Sequence, residues 1–257
     1  MKVLVRAILV GFVATTSVAG WAQSATPTPV APAVPQVDTA KQIATMKAQL
    51  NDWAQLGRYR ADNAALPAPA AGEKRVVFYG DSITDSWARN PDGFFPGKNY
   101  VGRGISGQTT PQMLVRFQQD VVHLKPAVVV ILAGTNDIAV NTGPSTPEMV
   151  EDNFESMAAI AKANGIRMVI SSILPAVRYP WRPEVQQPAE QIRALNTRLK
   201  ALAAREGLVY LDYYTPMANA QSGLDPELAS DGVHPTAKGY AVMAPLAEKA
   251  IAEALAR

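Results

Sequence analysis

The sequence predicts an α/β protein with a five-stranded parallel sheet covered by helices on both faces. Short runs of apolar and β-branched residues recur along the chain, and longer helical patterns separate them. Glycine stands just past two predicted helix ends, at Gly165 and Gly207, where its tolerance of a left-handed backbone suits it. Alternating strands and helices are typical of parallel sheets, because each parallel connection must cross back over the sheet.

The first 37 residues are predicted to lie outside this fold. Residues 1–22 have a basic start, the apolar run AILVGFVA and small residues near position 22, which is the pattern of a secretory signal peptide. An uncleaved membrane anchor is the alternative, but threonines and a serine soon interrupt the apolar run. Residues 23–37 are rich in proline and alanine and predict an extended tether. We therefore expect a periplasmic or secreted protein with no membrane span after cleavage.

Residues 38–72 are predicted to form an N-terminal helix and a linker before the main domain, residues 73–257. The helix is expected over 38–56, and its apolar residues fall on one stripe at Ile43, Met46, Leu50 and Trp53. A second break rich in proline and alanine, LPAPAAG, follows at 66–72.

The main domain contains the strands and the remaining helices. The five predicted strands are RVVFYG (75–80), NYVGRG (99–104), AVVVILAG (127–134), IRMVISSI (166–173) and LVYLD (208–212). Helices are expected at 109–123, 146–163, 187–205 and 236–256, and Thr146 followed by Pro147 is typical of a helix start.

Composition excludes several kinds of protein. Hydrophobic residues make up 48% of the 257 positions and charged residues 18%, which is typical of a globular protein with a sizeable core. Without Lys2 and Arg6 of the leader, 22 basic residues balance 22 acidic ones, so no basic patch favours nucleic acid. The absence of cysteine excludes disulfides, thiolate metal sites and a cysteine nucleophile. We expect neither a cofactor nor a metal.

Polar residues follow several of the predicted strands. Strand one runs into YGDSIT (79–84), strand two into GRGISGQTT (102–110) and strand three into AGTNDI (133–138), while the last loop carries DGVHPT (231–236). Ligand sites of open α/β sheets lie beyond the carboxyl ends of the strands. Each block alone fits an ordinary turn or helix cap, so only their combination predicts a function.

Together the blocks contain the parts of an acyl-transfer site. Ser82 provides a hydroxyl nucleophile, His234 a base that can remove its proton, and Asp231 a carboxylate that can orient the imidazole. The available donors to a developing oxyanion are the backbone N–H groups of Ser82 and Gly107 and the side-chain amide of Asn136. The second histidine of the chain, His123, is expected at a surface position near a helix end.

These blocks resemble the SGNH, or GDSL-type, ester hydrolase family. GDSIT resembles its first block, GISGQTT the second, GTND the third and DGVHPT the last, in the family's order and without departure at the catalytic positions. The resemblance implies a three-layer α/β/α sandwich of flavodoxin-like type. It also implies a catalytic set of Ser82, Asp231 and His234, with an oxyanion hole formed by Ser82, Gly107 and Asn136.

Other polar and aromatic residues lie close to these blocks or in the loop after strand four. Tyr179 and Trp181 belong to the loop 174–188 after strand four, where they could stack on a sugar, line an acyl pocket or simply pack. Asp81 and Asp137 are expected to hydrogen-bond the turns that present the active residues.

The sequence leaves four classes of function to compare. They are a serine ester hydrolase, an acyltransferase with the same site, a flavodoxin-like binding protein and an aspartate-based phosphatase starting at Asp81. The last lacks the usual second aspartate, because position 83 is isoleucine, and a binding protein leaves the polar blocks unexplained. We expect a metal-independent serine esterase that removes short acyl groups, acetyl above all, from carbohydrate esters. A lipid acylhydrolase, of lysophospholipase or thioesterase type, is the alternative.

Overall fold

The computed structural model describes residues 38–90 and 93–257. The predicted signal peptide and tether lie outside the described residues. One compact unit extends from Lys41 to Arg257, so the N-terminal helix region belongs with the sheet domain; of the other unit, only residues 38–40 are described.

Five parallel strands form the sheet, in the order β2-β1-β3-β4-β5. They are β1 (Val76–Gly80), β2 (Tyr100–Gly104), β3 (Val128–Leu132), β4 (Arg167–Ser171) and β5 (Val209–Leu211). This is the flavodoxin-like order, whose direction reverses between β1 and β3. The predicted fold class is thereby confirmed. The segments after β1 and β3, where Ser82 begins one short helix and Asn136 lies in another, meet at this reversal point.

Nine α-helices surround the sheet in the described residues. They are α1 (Thr39–Asn51), α2 (Arg60–Ala65), α3 (Ser82–Ala88), α4 (Thr110–Asp120), α5 (Thr135–Ile138), α6 (Pro147–Ala163), α7 (Pro188–Arg205), α8 (Tyr214–Met217) and α9 (Ala237–Ala256), with a 3₁₀ turn at Val122–Leu124. No helix in the described part of the chain is both long and apolar enough to cross a membrane.

The two faces of the sheet bury separate cores. Helices α4, α6 and α7 pack on one face, and α3 and α9 pack on the other. Successive strand residues alternate between the two, so Val77 and Tyr79 join the first core while Val76 and Phe78 join the second. The result is the predicted three-layer sandwich.

Several predicted boundaries differ from the structure by one to five residues, and two of them differ for clear local reasons. Helix α1 stops at Asn51 rather than at 56, because the Asp52 carboxylate accepts the backbone N–H groups of Leu56 and Gly57 at 2.7 and 2.9 Å and closes a turn. Strand β3 stops at Leu132 rather than at 134, since Gly134 takes a φ of +117° and caps α5.

The residues between α1 and β1 are fastened to the domain by long-range hydrogen bonds. Gln108 and Gln119 donate to the carbonyls of Ala54 and Leu56 at 2.9 and 2.8 Å. The Tyr59 hydroxyl donates to the carbonyl of Gly104 at the end of β2. This segment therefore lies against the loop that follows β2, and α1 and this segment together are called the N-terminal strap below.

Candidate active site

Ser82 is the first residue of α3 and directly follows the end of β1. Asp81 caps the helix by accepting the Ile83 N–H at 3.0 Å. Gly80 leaves room for this sharp turn, since a Cβ there would lie 2.6 Å from the Leu132 carbonyl oxygen. The GDS sequence thus places a hydroxyl group and a free backbone N–H at a helix start, where partial positive charge favours an anion.

The loop after α8 brings His234 to Ser82 from the far end of the chain. The distance from Ser82 Oγ to His234 Nε2 is 2.8 Å, across 152 residues of sequence. His123, in contrast, is exposed in the 3₁₀ turn Val122–Leu124, as expected. The histidine that lies within reach of the serine is therefore His234.

Asp231 fixes the orientation of that imidazole. Its Oδ2 lies 2.6 Å from His234 Nδ1, and its Oδ1 accepts the backbone N–H groups of Val233 and His234 at 2.9 and 2.8 Å. Partial burial acts to raise the pKa of Asp231, but the hydrogen bonds from His234 and Val233 outweigh it and hold the pKa below its usual value. Asp231 is therefore ionised at neutral pH and favours the tautomer that leaves Nε2 free to accept a proton.

Gly107 and Asn136 face the same edge of the sheet. Gly107 has a φ of +80°, the left-handed region that favours glycine. Asn136 is buried, and its side-chain N–H groups point to the carbonyl of Gln108 at 3.0 Å and to Asp81 Oδ2 at 3.2 Å. An oxyanion that accepts a hydrogen bond from this amide must displace one of these acceptors, and the longer contact is the one to Asp81.

Two buried aspartates lie beside the site. Burial raises the pKa of Asp81 to about 6, partly offset by the Ile83 N–H and by His234. Burial likewise raises the pKa of Asp137 to about 6, partly offset by hydrogen bonds from Thr110. Asp81 caps its own turn as expected. Asp137 instead ties the loop after β3 to the start of α4.

Asn141 has a central position that the sequence does not predict. Its amide donates to the Gly107 carbonyl at 3.2 Å and to Asn136 Oδ1 at 2.8 Å, and its oxygen accepts the Trp181 indole N–H at 3.1 Å. It lies in the turn that follows α5, five residues after Asn136. An asparagine in a loop is common, so the pattern contains no signal that distinguishes it.

The two aromatic residues of the loop 174–188 have different environments. Trp181 is 38% exposed, and its ring centroid lies 5.8 Å from that of His234. Tyr179 is only 1% exposed and packs against Trp181 at 5.2 Å. Its hydroxyl has no hydrogen-bond partner among the described residues, and burial, followed by the Asp81 and Asp137 carboxylates, raises its pKa. Only Trp181 thus presents a surface on which a ligand could stack.

A buried arginine braces the backbone around the site. Arg116 of α4 donates to the carbonyls of Gly80 and Arg103 at 3.0 and 2.9 Å and to Gln108 Oε1 at 2.5 Å. Its charge is balanced by Asp120 at 3.1 Å, with both side chains fully buried. One guanidinium therefore connects the ends of β1 and β2 with the loop that follows β2.

The described residues contain no cluster of three or more His, Asp or Glu side chains that could hold a metal ion. The row formed by Ser82, His234 and Asp231 is instead the arrangement typical of serine hydrolases.

Comparison with known proteins identifies the family. The model of the GDSL-like Lipase/Acylhydrolase family matches residues 78–242, and the chain belongs to this family. A solved GDSL-like lipase from Bacteroides thetaiotaomicron VPI-5482 is 46% identical, with a TM-score of 0.76 over 78% of this chain and 98% of that one.

Two curated relatives share less sequence. An acetylxylan esterase of Geobacillus stearothermophilus is 26% identical over 68% of this chain and 91% of that protein. An acetylxylan esterase of Xylanibacter ruminicola is 24% identical over 73% of this chain, which spans only 45% of that relative. As a member of this family of acylhydrolases, the chain is a carboxylic ester hydrolase.

Proposed function

We propose that this protein is an exported serine esterase that removes acetyl and other short acyl groups from carbohydrate esters. The observation that carries the proposal is the hydrogen-bonded row from Ser82 through His234 to Asp231, with contacts of 2.8 and 2.6 Å. Export rests on the leader-like residues 1–22.

The geometry supports a two-step acyl transfer. Ser82 Oγ attacks the ester carbonyl carbon as His234 Nε2 takes the hydroxyl proton, and Asp231 stabilises the imidazolium that forms. The carbonyl oxygen becomes an oxyanion, which accepts hydrogen bonds from the Ser82 and Gly107 N–H groups and the Asn136 amide. The C–O bond to the alcohol then breaks, and the alcohol leaves with the proton from His234. Water, deprotonated by the same imidazole, releases the acyl group and restores Ser82.

The place of Trp181 supports a sugar as the alcohol part. Because His234 protonates the leaving alcohol, that part of the ester must lie beside the imidazole, and Trp181 is the exposed aromatic ring there. Its N–H bond to Asn141 holds the ring in place. An indole face suits the apolar face of a sugar ring. Tyr179, which is buried beneath Trp181, supports the ring rather than touching substrate. The two acetylxylan esterases among the relatives favour the same substrate class.

A panel of esters tests the substrate class. We expect kcat/KM to fall steeply from acetyl to octanoyl among chromogenic esters of two to sixteen carbons, and an acetylated xylo-oligosaccharide to be deacetylated. A profile that rises beyond about eight carbons, or rapid cleavage of a lysophospholipid, would replace this proposal with the lipid acylhydrolase, since each buried methylene is worth about 0.8 kcal/mol in an apolar channel. Added alcohols that capture the acyl group in preference to water would indicate an acyltransferase.

A further inference from the structure

A groove runs between the N-terminal strap and the loop that carries Gly107. It has a volume of about 580 Å³. One wall is formed by Met46, Leu50 and Trp53, and the other by Gly107, Asn141 and Thr142. Gly107 and Asn141 also belong to the candidate active site, so the groove is continuous with that site.

The strap wall is anchored at its Trp53 end. The backbone carbonyls of Trp53 and Ala54 accept hydrogen bonds from Gln112 and Gln108 at 2.6 and 2.9 Å. Gln108 is fully buried, and its own carbonyl accepts the Asn136 amide. The same residue therefore holds the strap and the proposed oxyanion donor, which fixes the groove relative to the reacting carbonyl.

The apolar side chains of the strap wall face solvent in the free protein. Met46, Leu50 and Trp53 are 62%, 81% and 44% exposed. Large apolar side chains grouped on one exposed surface indicate a binding site more often than isolated ones do. Met46, Leu50 and Trp53 line the groove together with Gly107 of the candidate active site, whereas Ile43, the fourth apolar residue of the stripe, lies outside the groove.

The two walls differ in chemistry. The strap presents an indole and two aliphatic side chains, with the polar Gln49, Asp52 and Gln55 beside them, while the opposite wall presents a backbone turn, an amide and a hydroxyl. A long acyl chain requires apolar contact on all sides. A sugar ring has an apolar face and hydroxyl groups at its edge, and such a ligand fits a groove that offers an apolar surface with polar groups on both sides.

We propose that this groove binds the alcohol part of the ester, as a subsite for sugar units next to the acetylated one, with Trp53 as the stacking platform. This inference rests on the proposed function. The groove volume of about 580 Å³ lies in the range of about 300–1,000 Å³ typical of ligand sites, and it far exceeds the volume of an acetyl group. The sugar chain runs from Trp181 past Asn141, which bonds to Trp181 and also lines the groove, to Trp53.

The test compares Trp53→Ala with wild type on acetylated xylotriose, p-nitrophenyl acetate and p-nitrophenyl octanoate. We expect kcat/KM for acetylated xylotriose to fall at least tenfold more than for p-nitrophenyl acetate, mainly through KM. Trp53→Phe, which keeps an aromatic ring, should recover most of the loss and guards against a folding defect. Ile43→Ala is the matched control, since it removes an exposed apolar side chain of the neighbouring helix α1 that lies outside the groove.

Each other result overturns the proposal in a recognisable way. A loss of kcat/KM confined to p-nitrophenyl octanoate would show that the groove binds acyl chains. Equal losses of kcat/KM for acetylated xylotriose in Ile43→Ala and Trp53→Ala would show that the exposed apolar residues form a docking face rather than a sugar subsite. If wild type deacetylates acetylated xylotriose and Trp53→Ala shows no selective loss of kcat/KM, the groove assignment is rejected while the proposed function stands. If wild type cleaves p-nitrophenyl acetate but not acetylated xylotriose, the sugar substrate fails, and the groove assignment fails with it.

Discussion

Replacing Asn141 with alanine should slow catalysis without unfolding the protein. The change removes the donors to the Gly107 carbonyl and to Asn136 Oδ1 and the acceptor for the Trp181 indole. Gly107 and Asn136 are two of the proposed oxyanion donors. Asn141 is therefore a positioning residue in this account, acting through the groups that it holds.

The size of the effect follows from the hydrogen bonds. The two bonds to Gly107 and Asn136 are each worth about 1 kcal/mol, a typical net value, while the bond from the exposed Trp181 adds little. A loss of about 2 kcal/mol from transition-state positioning lowers kcat about 30-fold, since 1.36 kcal/mol corresponds to a factor of ten.

The assay is steady-state hydrolysis of p-nitrophenyl acetate together with a thermal melt. We expect the 30-fold loss mainly in kcat, with a small change in Tm. Asn141→Asp keeps the acceptor for Trp181 but lacks both amide donors, so it should lose at least as much activity as Asn141→Ala. Asn164→Ala is the control and should stay near wild type, because this exposed asparagine donates its side-chain hydrogen bond to the Ile160 carbonyl in the C-terminal turn of α6. A folded Asn141→Ala with kcat within threefold of wild type, or a loss confined to KM, would refute this positioning role.

Three further predictions concern the oxyanion hole, the buried ion pair and a buried carboxylate. Asn136→Ala should lower kcat about a hundredfold with a smaller change in KM; steady-state kinetics in which only KM changed would mean that Asn136 binds substrate rather than the transition state. Arg116→Met leaves Asp120 buried without its cation, which costs about 3–5 kcal/mol and should lower Tm by about 10 °C in a domain of this size. The exposed Arg205→Ala should shift Tm by no more than about 2 °C, and equal shifts for the two variants would contradict the bracing role of Arg116. Burial raises the pKa of Asp81 from an ordinary 3.8 to about 6, so the folded state binds the proton more tightly than the unfolded state, and stability is lost as the pH rises through that interval. Urea unfolding at pH 4 to 7 should show wild type losing up to about 3 kcal/mol relative to Asp81→Asn, and parallel pH curves for the two proteins would show that this carboxyl does not titrate as described.

Much of the fold can be predicted from local sequence patterns. All five strands are present within two residues of the expected bounds, and β3 ends before 134 because Gly134 turns the chain. Runs such as VVVIL are buried on both faces and so are apolar throughout, which makes the parallel sheet recognisable. The strand order could not be derived from these runs, because it depends on pairing between distant segments.

The candidate site is only partly predictable for the same reason. Ser82, His234 and Asp231 stand out because their chemical types occur in short blocks with glycine and aspartate. Asn141 and Arg116 act through contacts with distant residues, and an arginine in a helix usually predicts an exposed side chain. The burial of Tyr179 and the exposure of the α1 stripe likewise depend on which surfaces meet. Neither can be deduced from the spacing of residues within a single element.

Covalent labelling of Ser82 tests the central claim most directly. The folded protein is treated with a fluorophosphonate, and the modified peptide is located by mass spectrometry. We predict one adduct per chain, on Ser82, formed in step with the loss of esterase activity. His234→Ala should label roughly a thousandfold more slowly, because the serine then lacks its base, whereas His123→Ala should label at the wild-type rate. Adduct formation at another residue, or near wild-type turnover by a folded Ser82→Ala, would contradict the account.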